Sequence, residues 1–311
     1  MSYQAILIVS FGGPEQRDDV IPFLENVLRG RNVPRERMLA VAGHYYHFGG
    51  KSPINDQCRA LVAALKAETS LPVYWGNRNW HPMLADTVRQ MAADGVTRAV
   101  AIGTSAYSSY SGCRQYIENI EKARAEVGDS APVIDKLPPF CDHPLFVEAA
   151  TDRVRAAFDR IPEERRPEAR LVFTAHSIPL TGCAYEEQLR STAREISAQL
   201  DHPEWDMAWQ SRSGPPSQPW LEPDILGYLR EIAGEDARDV VVAPIGFLSD
   251  HMEVRYDLDV EAAALAKQLG LDFVRAATVG THPLLVRMLA ELATQEVVAC
   301  APGCCPPPPR R

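Results

Sequence analysis

No stretch of this 311-residue chain comes near the roughly eighteen consecutive apolar residues that read as a membrane span. Its opening, MSYQAILIVSFGG, has no basic stretch of the kind that begins a secretory leader and runs straight into a strand-like segment, so the expected compartment is the cytoplasm. Positive charge is in deficit: 32 Lys and Arg against 41 Asp and Glu leave a net charge of −9. Nucleic acid is thereby excluded as the main partner, since phosphate binding asks for a broad basic surface, although one basic pocket for a small acidic ligand stays compatible. Seven unevenly placed cysteines are too few for a disulfide framework and direct attention to metal or redox chemistry. The pair Gly12-Gly13 belongs to no G-x-G-x-x-G pattern, so dinucleotide binding has weak support.

What is present is an ordinary globular mixture, 46% apolar and 23% charged, which rules out disorder, collagen and coiled coil for the whole chain. Short apolar runs recur at Ala5–Val9, Leu71–Trp75, Ala99–Thr104, Pro132–Lys136, Arg170–Ala175, Trp205–Gln210, Asp239–Pro244 and Asp272–Ala276. They are nearly continuous in apolar residues, as strands buried on both faces are. Amphipathic stretches lie between them at Ile54–Glu68, His81–Asp94, Asp142–Arg160, Cys183–Leu200 and Met252–Leu269. The alternation predicts an α/β protein of two doubly wound halves, each a four-stranded parallel sheet with helices on both faces. The halves are expected at 1–140 and 141–282, joined at the proline-rich LPPFCDHP, with a last helix Pro283–Val298 and a Cys-rich tail (283–311) packing on the N-terminal half.

Ligands of such folds bind beyond the carboxyl ends of the strands. His176 stands there after LVFTA, and imidazole moves protons near neutral pH. A lone histidine at a strand end serves equally well as a loop-capping group. The following segment, DHMEVRYDLDVEA, spaces Glu253, Asp257 and Glu261 four apart, which makes neighbours of them on a helix. At about 100° per residue their line drifts by ~40° per step, and a π-type bulge would straighten it. Like charges on one stripe repel unless a cation or shared protons relieve them; a solvated acidic helix face is the plainer reading. In the first half, Arg29, Arg31, Arg35 and Arg37 occupy a turn-rich loop, followed by Tyr45, Tyr46, Phe48 and GGKSP. Arg78 lies between Trp75 and Trp80 in YWGNRNWHP. Aromatics beside basic and hydroxyl groups suit a flat apolar ligand with carboxylates at its rim. In the tail, Cys300, Cys304 and Cys305 precede four prolines. A four-thiolate site needs one more of Cys58, Cys113, Cys141 or Cys183, and spacing does not separate zinc from [2Fe–2S].

The segments SFGGPE, FGGKSPIN, YWGNRNWHP, TSAYSSYSGCRQY, AHSIP, WQSRSGPPSQPWLEP and PIGFLSDHMEVRYDLDVEA together resemble the ferrochelatases, over essentially the whole chain. The resemblance implies two flavodoxin-like, chelatase-type halves and insertion of Fe(II), as substrate, into a porphyrin. His176 matches the active-site histidine, and Glu253 an acidic partner expected across the porphyrin plane; both would meet the substrate iron. Asp257 and Glu261 match an acidic trail that guides metal in or protons out. Phe11, Arg29, Tyr45, Ser52, Arg78 and Tyr107 are the porphyrin-binding candidates. The pattern is most similar to the bacterial branch that acts on coproporphyrin III to give coprohaem, in which some members carry a tyrosine where this chain has Phe11. Cys113 with Cys300, Cys304 and Cys305 resembles the ligand set of members with a [2Fe–2S] cofactor. A protoporphyrin IX ferrochelatase and, from another class, a non-catalytic iron–sulfur redox protein or iron sensor are the competing expectations. The expected partners are the porphyrin and ferrous iron, with transient contact with neighbouring haem-pathway enzymes.

Overall fold

Runs such as AILIVS and DVVVA have no polar side of their own except at the ends, and every residue of both is buried. The computed structural model describes residues 2–180, 183–214, 217–235, 237–300 and 303–307. Two compact units divide the chain: Met1–Thr104, Ser111–Pro138 and Val286–Ala301 form the first, Ser105–Tyr110, Pro139–Leu285 and Pro302–Arg311 the second.

In the first unit, β1 (Ala5–Ser10), β2 (Val73–Asn77), β3 (Arg98–Gly103) and β4 (Val133–Lys136) pair in parallel in the order β2-β1-β3-β4. Side chains alternate across a strand, so Ala5, Leu7 and Val9 pack with Leu84, Val88 and Met91 of one helix and Tyr116 and Ile120 of another. The second unit repeats the plan with β5 (Arg170–His176), β6 (Asp206–Gln210), β7 (Asp239–Ala243) and β8 (Asp272–Arg275), ordered β6-β5-β7-β8. The expected doubly wound α/β class is thus what forms, and all eight expected runs become strands with ends moved by a residue or two. Strand order reverses beside β1 in one sheet and β5 in the other, and the crevice at such a switch point is where ligands sit.

The helices depart more. Arg29–Arg37 is not one loop: Arg35–His47 is a helix that starts after Pro34 and contains Arg37 and Tyr45, because RERMLAVA is a run of good helix formers. The last helix, Pro283–Leu292, ends well short of Val298. Beyond it the Val297 N–H donates to Tyr3 Oη at 3.3 Å inside the first unit. The expected Met252–Leu269 helix is a composite, with α-helical Met252–Val254 and Ala263–Leu269 flanking a π-helix over Arg255–Ala262. Among the described residues no helix is long and apolar enough to cross a membrane.

Candidate functional site

His176 ends β5, and its ring is set by three contacts. The Tyr185 hydroxyl donates to the His176 carbonyl at 3.3 Å, fixing the backbone. The carbonyl of Ser177 can only accept, so the imidazole Nδ1 beside it carries the proton and donates. Nε2, the other ring nitrogen, lies 3.7 Å from Glu253 Oε2. A flat ring needs about 3.5 Å on each of its faces, roughly 7 Å between two flanking groups. At 3.7 Å the two groups leave no room for a ring between them, unlike the expected placement of Glu253 across a porphyrin plane from His176.

Glu253 is placed by backbone capping. His251 Nδ1 accepts the Glu253 N–H at 3.2 Å, and Gln210 Nε2, at the end of β6, donates to the Glu253 carbonyl at 3.0 Å. Accepting through Nδ1 requires a neutral imidazole, and burial, aided by the nearby His176, holds the His251 pKa below its ordinary value. From here the π-helix does what the spacing asked of it. Its wide turn opposes the drift of an α-helix, so residues four apart stay aligned. Val254, Leu258, Ala262 and Ala266 form a fully buried stripe against the sheet and the helix Ile225–Ala233. The acids lie one residue ahead of each of the first three. Asp257 is pushed up to about 7, first by burial and then by Glu253 and Glu261, while a Ser211 hydroxyl hydrogen bond and His176 pull the other way. Ser211 reaches it from a left-handed backbone, φ +61°, which an L-residue adopts only under constraint. Glu261 is also raised, by burial and by Asp224. Asp257 is the partly covered member, and Glu253 and Glu261 are exposed at its two sides. Such a stripe can pass a proton or a hard cation along itself.

In the first unit the turn after β1 carries the ring of Phe11. Gly12 has φ +83°, and a Cβ there would lie 2.8 Å from the Asn77 Cβ, so only glycine closes this turn. Phe11, Tyr45 and Trp80 each meet the buried Phe23 edge-on, at centroid distances of 6.2, 5.7 and 6.3 Å. The Arg78 guanidinium lies 5.8 Å from the Phe11 ring centroid and 4.7 Å from that of Tyr116. It donates to Asn119 at 2.6 Å, Gln115 at 2.6 Å and the Ser111 carbonyl at 3.3 Å. Arg78 thus braces Phe11 instead of presenting a bare cation. Arg29 does present one: it is exposed and held by Asn26 at 2.6 Å. Ser52 and Tyr107 depart from expectation. Ser52 is 2% exposed, and Tyr107, 1% exposed, packs edge-on with Phe146 and Tyr185 inside the second unit. Both side chains are thus closed off from solvent.

The ferrochelatase family model matches residues 3–297 of this chain. The chain belongs to the ferrochelatase family. It is 49% identical to a coproporphyrin III ferrochelatase of Nocardia farcinica, over 99% of this chain and 97% of that protein. With a ferrochelatase of Rhodopirellula baltica it shares 52% identity over 95% of this chain and 86% of the relative. Among solved structures, SirB from Bacillus subtilis with Fe3+ is similar at a TM-score of 0.59 and 15% identity, covering 94% of each chain. CbiX, described as the terminal enzyme for biosynthesis of sirohaem in denitrifying bacteria, follows at 0.53 and 16%, over 93% of this chain and 97% of that one. At such identities these two likenesses speak for the fold alone.

Within this ferrochelatase framework the cysteines stand apart. Cys113 is buried in the π-turn Tyr110–Arg114, with Lys136 Nζ 3.6 Å from its sulfur. Cys305 is buried, Cys300 half-buried and Cys304 exposed. Their chemistry suits a four-thiolate cluster, yet among the described residues no three His, Cys, Asp or Glu side chains are gathered to hold a metal ion. Sequence reasoning gave no role to Ser211, Gln210, His251 or Tyr185. The first two follow or end β6, and that strand-end position was the available signal; the other two act through hydrogen bonds to backbone that no pattern announces.

Proposed function

We propose that this chain inserts ferrous iron into coproporphyrin III, releasing two protons and giving coprohaem for haem synthesis in the cytoplasm. The carrying observation is the 3.7 Å His176–Glu253 pair at the head of a π-aligned acidic stripe. The substrate reading is supported by relatives such as the Nocardia farcinica protein, named a coproporphyrin III ferrochelatase. Metallation exchanges two pyrrole N–H protons for Fe(II), with no change in oxidation state. His176 Nε2 takes a pyrrole proton, the adjacent Glu253 carboxylate stabilises the imidazolium, and Asp257 and Glu261 carry protons outward or iron inward. Both residues meet the iron from one side of the ring. Phe11 and Tyr45 give the macrocycle aromatic faces, Arg78 braces Phe11, and Arg29 binds a propionate at the rim. Coproporphyrin has four propionates and protoporphyrin two, so steady-state insertion into both is the test. A higher kcat/KM for coproporphyrin is expected; a preference for protoporphyrin would overturn the assignment.

We infer in addition that Cys113, Cys300, Cys304 and Cys305 hold a [2Fe–2S] cluster. Bound there, it would supply one-electron chemistry that metallation itself does not use. The Lys136-flanked Cys113 thiol supports the reading. Anaerobically purified protein is expected to show broad visible absorption that Cys113→Ser abolishes; a colourless protein containing zinc would refute it.

A further inference from the structure

Both ends of the arc from Asp250 to Asp259, which carries Glu253 and Asp257, are held by one side chain. Arg275 is the last residue of β8, and its side chain is only 16% exposed. Its Nη1 and Nη2 donate to the two oxygens of Asp250 at 3.2 and 3.0 Å. Its Nε and Nη2 donate to the two oxygens of Asp259 at 2.5 and 3.1 Å. Nη1 also reaches the Ala276 carbonyl at 3.2 Å. The carboxylates are secured from other sides as well: Thr278 Oγ1 donates to Asp250 at 3.1 Å, and Arg255 pairs with Asp259 at 2.8 Å.

The placement of these anchors matters more than their number. Asp250 lies in the loop ahead of Glu253, next to the His251 that caps the Glu253 N–H. Asp259 lies within the π-helix, two positions after Asp257. A π-turn is rare because its backbone geometry is poorer than that of an α-helix, so it needs support from outside the helix. Gripping Asp259 from β8 supplies such support and holds the wide turn. A planar guanidinium can serve two carboxylates bidentately in one fixed geometry, whereas an ammonium is a point donor on a flexible stem.

We propose that Arg275 is a positioning residue for metal insertion, clamping both ends of this arc so that Glu253 stays beside His176 and Asp257 beside Ser211. The inference rests on the chelatase reading above and assigns Arg275 no contact with substrate. Displacements of about 1 Å in a catalytic constellation cost up to a hundredfold in rate, even when their cause lies away from the chemistry.

The test compares intact wild-type protein with Arg275→Lys and Asp259→Asn in anaerobic steady-state insertion of Fe(II) into coproporphyrin III. Arg275→Lys is expected to lower kcat by about tenfold to a hundredfold, with the porphyrin KM unchanged within about twofold. Asp259→Asn keeps the shape and loses one side of the fork, so a smaller fall in kcat at unchanged KM is expected. Should the lysine variant fail to fold, the asparagine variant decides. Wild-type kcat in the folded variants, or a loss confined to KM, overturns the clamp. A wild-type protein without turnover fails the chelatase reading itself and takes the clamp's catalytic role with it.

Discussion

Asp257 gives the sharpest handle on the acidic stripe. Its carboxyl is raised from an ordinary 3.8 to about 7 in the folded protein, chiefly by burial. Between those two values the folded state holds a proton that the unfolded chain has released. Stability therefore falls as pH rises through this window, and above it the full cost of a covered carboxylate is borne. A rise of about three units at ~1.36 kcal/mol each gives about 4 kcal/mol. Water reaches part of the side chain, so ~2 kcal/mol is the expected measurable difference. Asp257→Asn removes the ionisation but keeps an oxygen for the Ser211 hydroxyl. Urea unfolding of metal-free wild type and variant at pH 4.5 and pH 8 reads the effect. The two proteins should be of similar stability at the lower pH, with the variant ahead by ~2 kcal/mol at the higher. In turnover, the ionisation near neutrality expected in the wild-type rate profile should be absent from the variant. Parallel pH dependences of stability would refute the view that Asp257 stays protonated up to neutral pH.

Two further substitutions probe the surroundings of His176. His176→Ala removes the group proposed to take the pyrrole proton and should cost at least about a hundredfold in kcat, while porphyrin affinity, read by fluorescence quenching, stays near wild type. Retained turnover would remove His176 from the mechanism. Gly246→Ala would place a Cβ 2.4 Å from that of Ala175, the residue before His176. Overpacking of this kind costs typically about 1–3 kcal/mol, so a lower urea midpoint with reduced activity is expected; an unchanged midpoint would show that the crossing is not tight.

Legibility in the sequence followed burial. The strands could be located because both faces of each sheet are covered, which leaves apolar runs that only a two-sided core explains. The acidic stripe could be located because its spacing is local; that spacing left open whether a π-type turn straightens it, and the π-helix over Arg255–Ala262 does so. Arg35–His47 was concealed by its basic start and the preceding Pro34, features shared by loops and helix beginnings. Ser52 and Tyr107 could not be told from ligand-facing residues, since hydroxyl-bearing and aromatic side chains fill interiors as readily as they line clefts. The fork on Arg275 joins residues far apart in the chain, and no pattern in sequence announces such a partner.

The same-side placement of His176 and Glu253 changes what the rest of the site must do. Were they on opposite faces, each could act alone, one on protons and one on iron. At 3.7 Å from each other, the two side chains can address one proton or one cation together. If His176 and Glu253 meet proton and iron as proposed, the two exchanges are coupled at one spot, and a proton displaced there needs a nearby acceptor. Asp257, raised by burial to about 7, exchanges protons near neutral pH far more readily than a carboxylate titrating near 3.8. Burial of Asp257 thus has a chemical consequence as well as a cost in stability. The π-helix that aligns the stripe holds Asp257 half-covered between two exposed carboxylates, Glu253 beside His176 and Glu261 beyond.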